Sequence, residues 1–221
     1  MRVLTVNLGR PKAADFTDAP GGTTGIDKRP AEGPVRVADP GPKGEGGSGV
    51  AGDAVCDLRH HGGTHQAVYA FAREDLDVWE AELGRPLANG SFGENLTTAG
   101  LDVNAALVGE RWRIGGAVLE VASGRIPCRT FGGWLAERGW VKRFIRQAAP
   151  GAYLRVVEPG EVCAGDAVEV VHRPDHEVTV GLAFRAVTLE RELLPGVLAA
   201  GDALDPEWRE TALKYAARQA S

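Results

Sequence analysis

Cys128 is the residue in this chain best placed to do chemistry. It closes the segment Gly124-Arg125-Ile126-Pro127-Cys128, which follows an apolar run, Ala117 to Ala122, that reads as a strand. Proline removes a backbone donor and fixes φ, so Pro127 is expected to end strand pairing and leave Cys128 at a strand's end rather than inside a sheet. Arg125 and Arg129 flank the thiol, and nearby cations favour the thiolate, the form that attacks electrophiles and binds soft metals. From these residues alone a second reading stays open, a buried cysteine acting as a small hydrophobe.

Two other segments carry polar groups in suggestive order. His60-His61-Gly62-Gly63-Thr64-His65 places three imidazoles within six residues. The paired glycines make the i, i+4 helical face of zinc motifs unlikely, and no neighbouring Cys or carboxylate completes a ligand set. Glycine permits close backbone approach, so Gly62 and Gly63 are expected beside a bound ligand, with His61 as donor or acceptor. Ser91-Phe92-Gly93-Glu94-Asn95-Leu96 puts Glu94 and Asn95 between apolar residues, and a buried carboxylate needs partners or a raised pKa. The same two groups standing in water at an edge turn is the alternative.

These residues must be positioned by a mainly β framework. Residues 2–8 read as an opening strand, Val35 and Val37 as a short one, and 67–71 as a strand running into a helix over 73–83 that Gly84 ends. Residues 111–114 and 117–122 flank Gly115-Gly116 as a hairpin whose second strand delivers Cys128. A helix is expected over 134–147, with Arg138, Lys142 and Arg146 as a basic stripe four residues apart. The stripe reads as a solvated face or as a contact for an anionic ligand or an electron-donor protein. Strands over 153–157 and 167–171 close the set, with Cys163 in the turn between them. The stretch 40–52 holds six glycines in thirteen residues and is expected to be a flexible insertion or a lid. Beyond Pro174 the pattern turns helical over 179–188, 190–200 and 205–218, with Asp205-Pro206 as N-cap and first residue. Many short strands with glycine turns suggest a β-barrel-like domain over 1–173, followed by a small three-helix unit over 178–221.

Composition narrows the function classes. The 221 residues are 43% hydrophobic, enough for a substantial core. A net charge of −5 argues against general nucleic-acid affinity, and the C-terminal helices carry five basic against six acidic residues from Val178 onward. Residues 2–8 are too short and too soon followed by charge for a signal or spanning segment, so a cytoplasmic protein without membrane attachment is expected. Three cysteines without CxxC spacing disfavour a disulfide framework or a four-cysteine zinc site.

Four ordered segments, Arg59 to Gly63, Phe92 to Leu96, Val108 to Gly115 and Gly124 to Cys128, resemble the MOSC family, domains similar to the C-terminal part of molybdenum cofactor sulfurase. With the helical tail, the set is most similar to the YiiM-type subgroup. The ordered set carries the resemblance, since no single segment is specific. It implies a mostly β fold with α-helices: a MOSC-type β-barrel plus a C-terminal three-helix appendage. It implies molybdopterin, the molybdenum cofactor, with Cys128 as metal ligand, and Arg125, His61, Gly62, Gly63 and Lys28 around the cofactor. Lys28 corresponds to the family's pocket lysine, with a solvated surface lysine as the alternative, and Glu94 and Asn95 would shape the site or manage protons. The implied activity is reduction of a small N-hydroxylated substrate with electrons from an external reductase, since the chain shows no flavin, haem or iron–sulfur motif. A persulfide carrier on Cys128 and a binding module without turnover are the alternatives. A homodimer is a candidate assembly, and because every candidate site residue precedes Val178, the tail is expected to serve association or partner docking, with a truncation after Arg173 keeping the cofactor if the barrel remains folded.

Overall fold

The structure, a computed structural model, describes residues 1–219. Its strands in chain order are β1 (Arg2–Gly9), β2 (Lys12–Ala13), β3 (Thr23–Thr24), β4 (Lys28–Pro30), β5 (Val35–Val37), β6 (Val68–Ala72), β7 (Leu96–Ala99), β8 (Arg111–Ile114), β9 (Ala117–Ser123), β10 (Ala152–Glu158), β11 (Gly160–Val162) and β12 (Val168–His172). The α-helices are α1 (Arg73–Leu83), α2 (Arg129–Leu135), α3 (Trp140–Gln147), α4 (Val180–Thr188), α5 (Leu194–Val197) and α6 (Pro206–Gln219).

Eight strands form one sheet in the order β12-β8-β9-β10-β6-β7-β1-β4. Neighbours are antiparallel except β6 and β7, which run parallel because α1 carries the chain from one to the other. Both β6 and β9 are buried along their whole length, β6 as an unbroken apolar run and β9 with its buried Glu120 paired to Arg111 and Arg155. The strand ladder is open, yet its ends meet at a seam: the Val3 amide donates to Asp166 O at 2.9 Å and the Val168 amide to Met1 O at 3.1 Å. The result is a coiled, barrel-like sheet that stops short of full closure.

Two apolar clusters fill the molecule. The first is aliphatic, built on Val3, Val6, Leu96, Ile114, Leu119, Val121 and Leu154, with Trp112 its large aromatic. The second is aromatic: Trp79, Phe92, Phe131, Trp140 and Phe144 pack mostly tilted or edge-on, with ring centroids 4.6 to 6.2 Å apart. This second cluster continues into Phe184, Leu194, Val197, Trp208 and Ala212, so α4 to α6 share a core with α1, α2 and α3 across the boundary expected near residue 175.

The structure revises three expected elements. The single helix over 134–147 is two, α2 and α3, because Ala136 and Gly139 both take left-handed conformations between them. Residues 190–200 form short pieces rather than one helix: a 3-10 turn over Arg191–Leu193, one α turn, and a 3-10 segment over Leu198–Ala203 kinked at Gly201. The glycine-rich stretch is tied down rather than loose, with the Gly49 amide bonded to Ala67 O, Gly63 N–H to Gly47 O, and Val50 buried. Two of its glycines serve contact: a Cβ on Gly46 would stand 2.3 Å from Pro40 O, and one on Gly49 2.8 Å from Ala38 O.

Candidate functional site

The fully buried strand β9 ends at Ser123, and the turn that follows places Arg125, Pro127 and Cys128 on one wall of a cavity of about 440 Å³. Cys128 has extended backbone angles and precedes α2, its carbonyl accepting the Gly132 amide at 3.1 Å, so the thiol sits where sheet gives way to helix. Lys28 at the start of β4, His61 and Gly62 from the imidazole-rich turn, and Asn95 just before β7 line the same cavity. Segments separated by up to 100 positions are therefore brought to one place by the sheet.

Arg125 is buried beneath the thiol. Its Nη1 donates to Phe92 O at 2.9 Å, and its guanidinium lies over the rings of Phe131 at 4.5 Å and Tyr69 at 5.2 Å. The Cys128 side chain acts on its charge and favours the guanidinium, while its Nε is buried without a partner among the described residues. Arg129, expected to act with it, stands at the rim, mostly exposed and 3.9 Å from Asp18. The thiol thus has one buried cation for company.

His61 is held neutral: burial, reinforced by the positive Arg125, pushes its pKa down to about 4. Lys28 forms a buried ion pair with Asp53, whose carboxylate also accepts the Gly9 amide at 2.7 Å and Asn95 Nδ2 at 2.8 Å. Asn95 in turn accepts the Tyr69 amide at 3.1 Å, so it stitches β6 to the loop that carries Asp53. Backbones pack closely behind this pair. A Cβ on Gly9 would lie 1.9 Å from Gly25 O, which is how residues 9, 25 and 53 come to share one spot.

Glu94 is not brought to the cavity. Its carboxylate is fully buried and accepts the Gly90 amide at 2.5 Å, the Phe92 amide at 3.0 Å and Thr97 Oγ1 at 2.8 Å. Burial pushes its pKa up against those bonds, which favour the charged form. The carboxylate holds the 90–97 turn, which in turn presents Phe92 O to Arg125, so its effect on the site runs through the backbone. Gly63 is likewise outside the lining and packs on Lys43.

Several lining residues have no counterpart in the sequence reading. Tyr69 and Tyr153 lie with rings 5.0 Å apart, and the Tyr69 hydroxyl donates to Pro150 O at 2.7 Å. Their strand context masked them, because an aromatic in a buried strand reads as packing. Cys56 and Gln66 also line the cavity, and the Gln66 Oε1 is buried without a partner among the described residues. At the mouth, Glu207 and Trp208 of α6 contribute, and Lys43 bridges to Glu207 at 2.6 Å, so the C-terminal helices form part of the cavity wall. All three cations of the basic stripe, Arg138, Lys142 and Arg146, are exposed, with Arg138 just before α3, while the intervening Arg143 pairs with Glu82 at 2.8 Å and Glu137 at 3.2 Å.

Comparison with known proteins follows the same lines. The MOSC domain model matches residues 57–169. The Bacillus subtilis protein YflK is 32% identical over 214 residues, 96% of this chain and 93% of YflK. A Gibberella moniliformis protein described as a reductase is 31% identical over 78% of this chain, which spans 29% of that protein's length. The crystal structure of YiiM from Geobacillus stearothermophilus matches with a TM-score of 0.77 at 25% identity, covering 97% of this chain and 98% of that one. Among the described residues, no helix is long and apolar enough to cross a membrane.

Proposed function

This chain belongs to the MOSC domain family, and on that premise we propose that its cavity binds the molybdenum cofactor and reduces small N-hydroxylated compounds with electrons from a separate reductase. The observation that carries the reading is the buried Arg125 beside the half-buried Cys128 thiol, with a guanidinium Nε that has no partner among the described residues. An unpaired buried donor is costly, so an acceptor supplied by a ligand would satisfy it.

The residues present fit an anionic organic group that brings its own metal. A cavity of about 440 Å³ is within the range of small-molecule sites, roughly 300–1,000 Å³. Among the described residues no cluster of three or more His, Cys, Asp or Glu side chains is arranged to hold a bare ion, so the carrier would supply most of the coordination. Cys128 would add one soft sulfur donor. Arg125 and Lys28 would hold anionic parts of the carrier, and the neutral His61 offers a donor and an acceptor to its polar edge. Tyr69 and Tyr153 would flank a flat ring system. When bound, the group supplies a two-electron redox centre.

The overall reaction, R–NHOH plus two electrons and two protons giving R–NH₂ and water, draws its electrons from an outside donor in this reading, the sequence showing no flavin, haem or iron–sulfur motif. The exposed cations Arg138, Lys142 and Arg146 on the segment after Cys128 suit an acidic donor protein. Glu94 takes no proton-transfer role in this reading, since its carboxylate is committed to its turn.

Protein purified from a cofactor-producing host is expected to carry stoichiometric molybdenum and extractable pterin, and to reduce an N-hydroxylated purine once a reductase or a low-potential dye is added. Cys128→Ala should lose the metal and remain folded. Full-length wild type that stays metal-free in such a host would sink the reading, and sulfane sulfur on Cys128 in that metal-free protein would point to the persulfide carrier instead.

A further inference from the structure

The inner end of the cavity is organised by an acid, Asp53, whose carboxylate is only 1% exposed. Each of its bonds joins a different part of the fold: Gly9 at the end of β1, Lys28 at the start of β4, and Asn95 at the entrance to β7. Lys28 has three ammonium protons and, among the described residues, Asp53 is its only hydrogen-bonded partner, which leaves two N–H groups for whatever occupies the cavity. We propose that Asp53 is a positioning residue of the site: it keeps the buried Lys28 a cation turned to the cavity and fixes the Asn95 amide beside it.

A buried ammonium is expensive, and the surroundings decide whether it survives. The charged groups whose fields act on Lys28 are Asp53, which it touches, and at longer range Arg125 and Glu94. Burial lowers the Lys28 pKa, Asp53 opposes that by charge and by hydrogen bond, Arg125 adds to the lowering, and Glu94 opposes it weakly. Asp27, next to Lys28 in the chain, is turned to Lys12 and Arg29 instead. With the Asp53 charge removed, burial and Arg125 pull together, and the lysine sheds its proton at a pH where the native pair holds it. Asp53 therefore acts on the bound anion through Lys28, without touching it.

The inference uses the cofactor reading only for its second measurement. The first follows the Lys28 side chain by ¹⁵N NMR in cofactor-free protein, its signal identified by its absence from Lys28→Arg. In the wild type the nitrogen should report an ammonium through pH 8. In Asp53→Asn its midpoint should fall by a unit or more. The second measures pterin retained by holoprotein after gel filtration at pH 6 and pH 8.5. Wild type should retain similar amounts at both, while Asp53→Asn should lose at least about tenfold at the higher pH, since the charged fraction drops about tenfold per unit above the midpoint. The double variant Asp53→Asn, Lys28→Arg carries a cation that does not titrate and should retain equal amounts at both pH values. An unshifted Lys28 midpoint in Asp53→Asn, or equal losses at both pH values in that variant, would reduce Asp53 to a structural role. If Asp53→Asn does not fold, a neutral Lys28 amine at pH 7 in the wild type overturns the proposal by itself. A wild type without any pterin would instead defeat the cofactor reading and leave the NMR result standing.

Discussion

The two ends of the cavity are both built from ion pairs, and the pairs are of different kinds. At the inner end Lys28 and Asp53 have side chains 8% and 1% exposed, and the carboxylate is held by further bonds from the Gly9 amide and Asn95 Nδ2. At the mouth Lys43 and Glu207 are 29% and 64% exposed and connect a loop to the first turn of α6. Removing a partner from a buried pair leaves an uncompensated charge without water, whereas an exposed pair trades its partner for solvent at little cost. The inner end is therefore a fixed frame for chemistry, and the mouth is a boundary whose charges can be exchanged.

Truncation after Arg173 tests this contrast most harshly. Because Phe184, Leu194, Val197 and Trp208 belong to the same aromatic cluster as Phe131, Trp140 and Phe144, the deletion uncovers a core rather than releasing a module. The expected outcome is loss of soluble, cooperatively folded protein, judged by near-ultraviolet circular dichroism and by gel filtration. A soluble truncation that still binds pterin would make the mouth dispensable in full.

Asp53→Ala comes next. It strands Lys28 and frees the Gly9 amide and Asn95, and loss of one partner of a buried pair costs about 3–5 kcal/mol, read from urea unfolding. A loss below about 1 kcal/mol would place this pair in the same class as the one at the mouth and erase the distinction.

The inner end was also the harder part to read from sequence. Cys128, Arg125, His61 and Lys28 stood in short motifs whose residue types announce chemistry, and the cavity collects all four. The hairpin over 111–122 and the helix over 73–83 were legible because period and turn residues agree locally. Asp53 was not, since it lies in Gly52-Asp53-Ala54 without periodicity and its side-chain partners are 25 and 42 residues away. Glu94 misled for the opposite reason: a carboxylate between apolar residues advertises a site, yet its bonds all lie within four residues. Trp208 and Glu207 fell within a helix expected over 205–218, and nothing local tells a helix that its first turn will close a distant cavity. The break between α2 and α3 rests partly on an alanine with positive φ at position 136, which no propensity anticipates.

His61 offers a smaller and pH-dependent test of the inner end. Its pKa is lowered to about 4 in the fold, against 6.5 ordinarily, with burial the main cause. Above pH 6.5 both folded and unfolded chains carry it neutral, so it contributes no pH dependence there. Between 6.5 and 4 the unfolded chain binds the proton and the folded chain does not, so stability falls as pH falls. From pH 7 to pH 5 the loss from this group is about 2 kcal/mol, at 1.36 kcal/mol per unit. Urea unfolding of wild type against His61→Gln at the two pH values isolates it. The same pH slope in both proteins would show that His61 is solvated, as groups at the mouth are.

The smallest effect belongs to the mouth itself. Lys43 and Glu207 approach to 2.6 Å, but the glutamate is largely in water, and such pairs contribute about 0–1 kcal/mol, less as salt rises. Glu207→Ala should therefore lower stability by under about 1 kcal/mol, with a difference that shrinks between 0.05 and 0.5 M salt, and pterin content should stay at the wild-type level. Trp208 remains in place in this variant, and it is the ring in the aromatic cluster, not the neighbouring carboxylate, that ties α6 to the cavity wall. A stability loss above about 2 kcal/mol, or a fall in bound pterin, would mean that the exposed pair is coupled to the buried one. The α6 turn would then have to be counted among the elements that position the site.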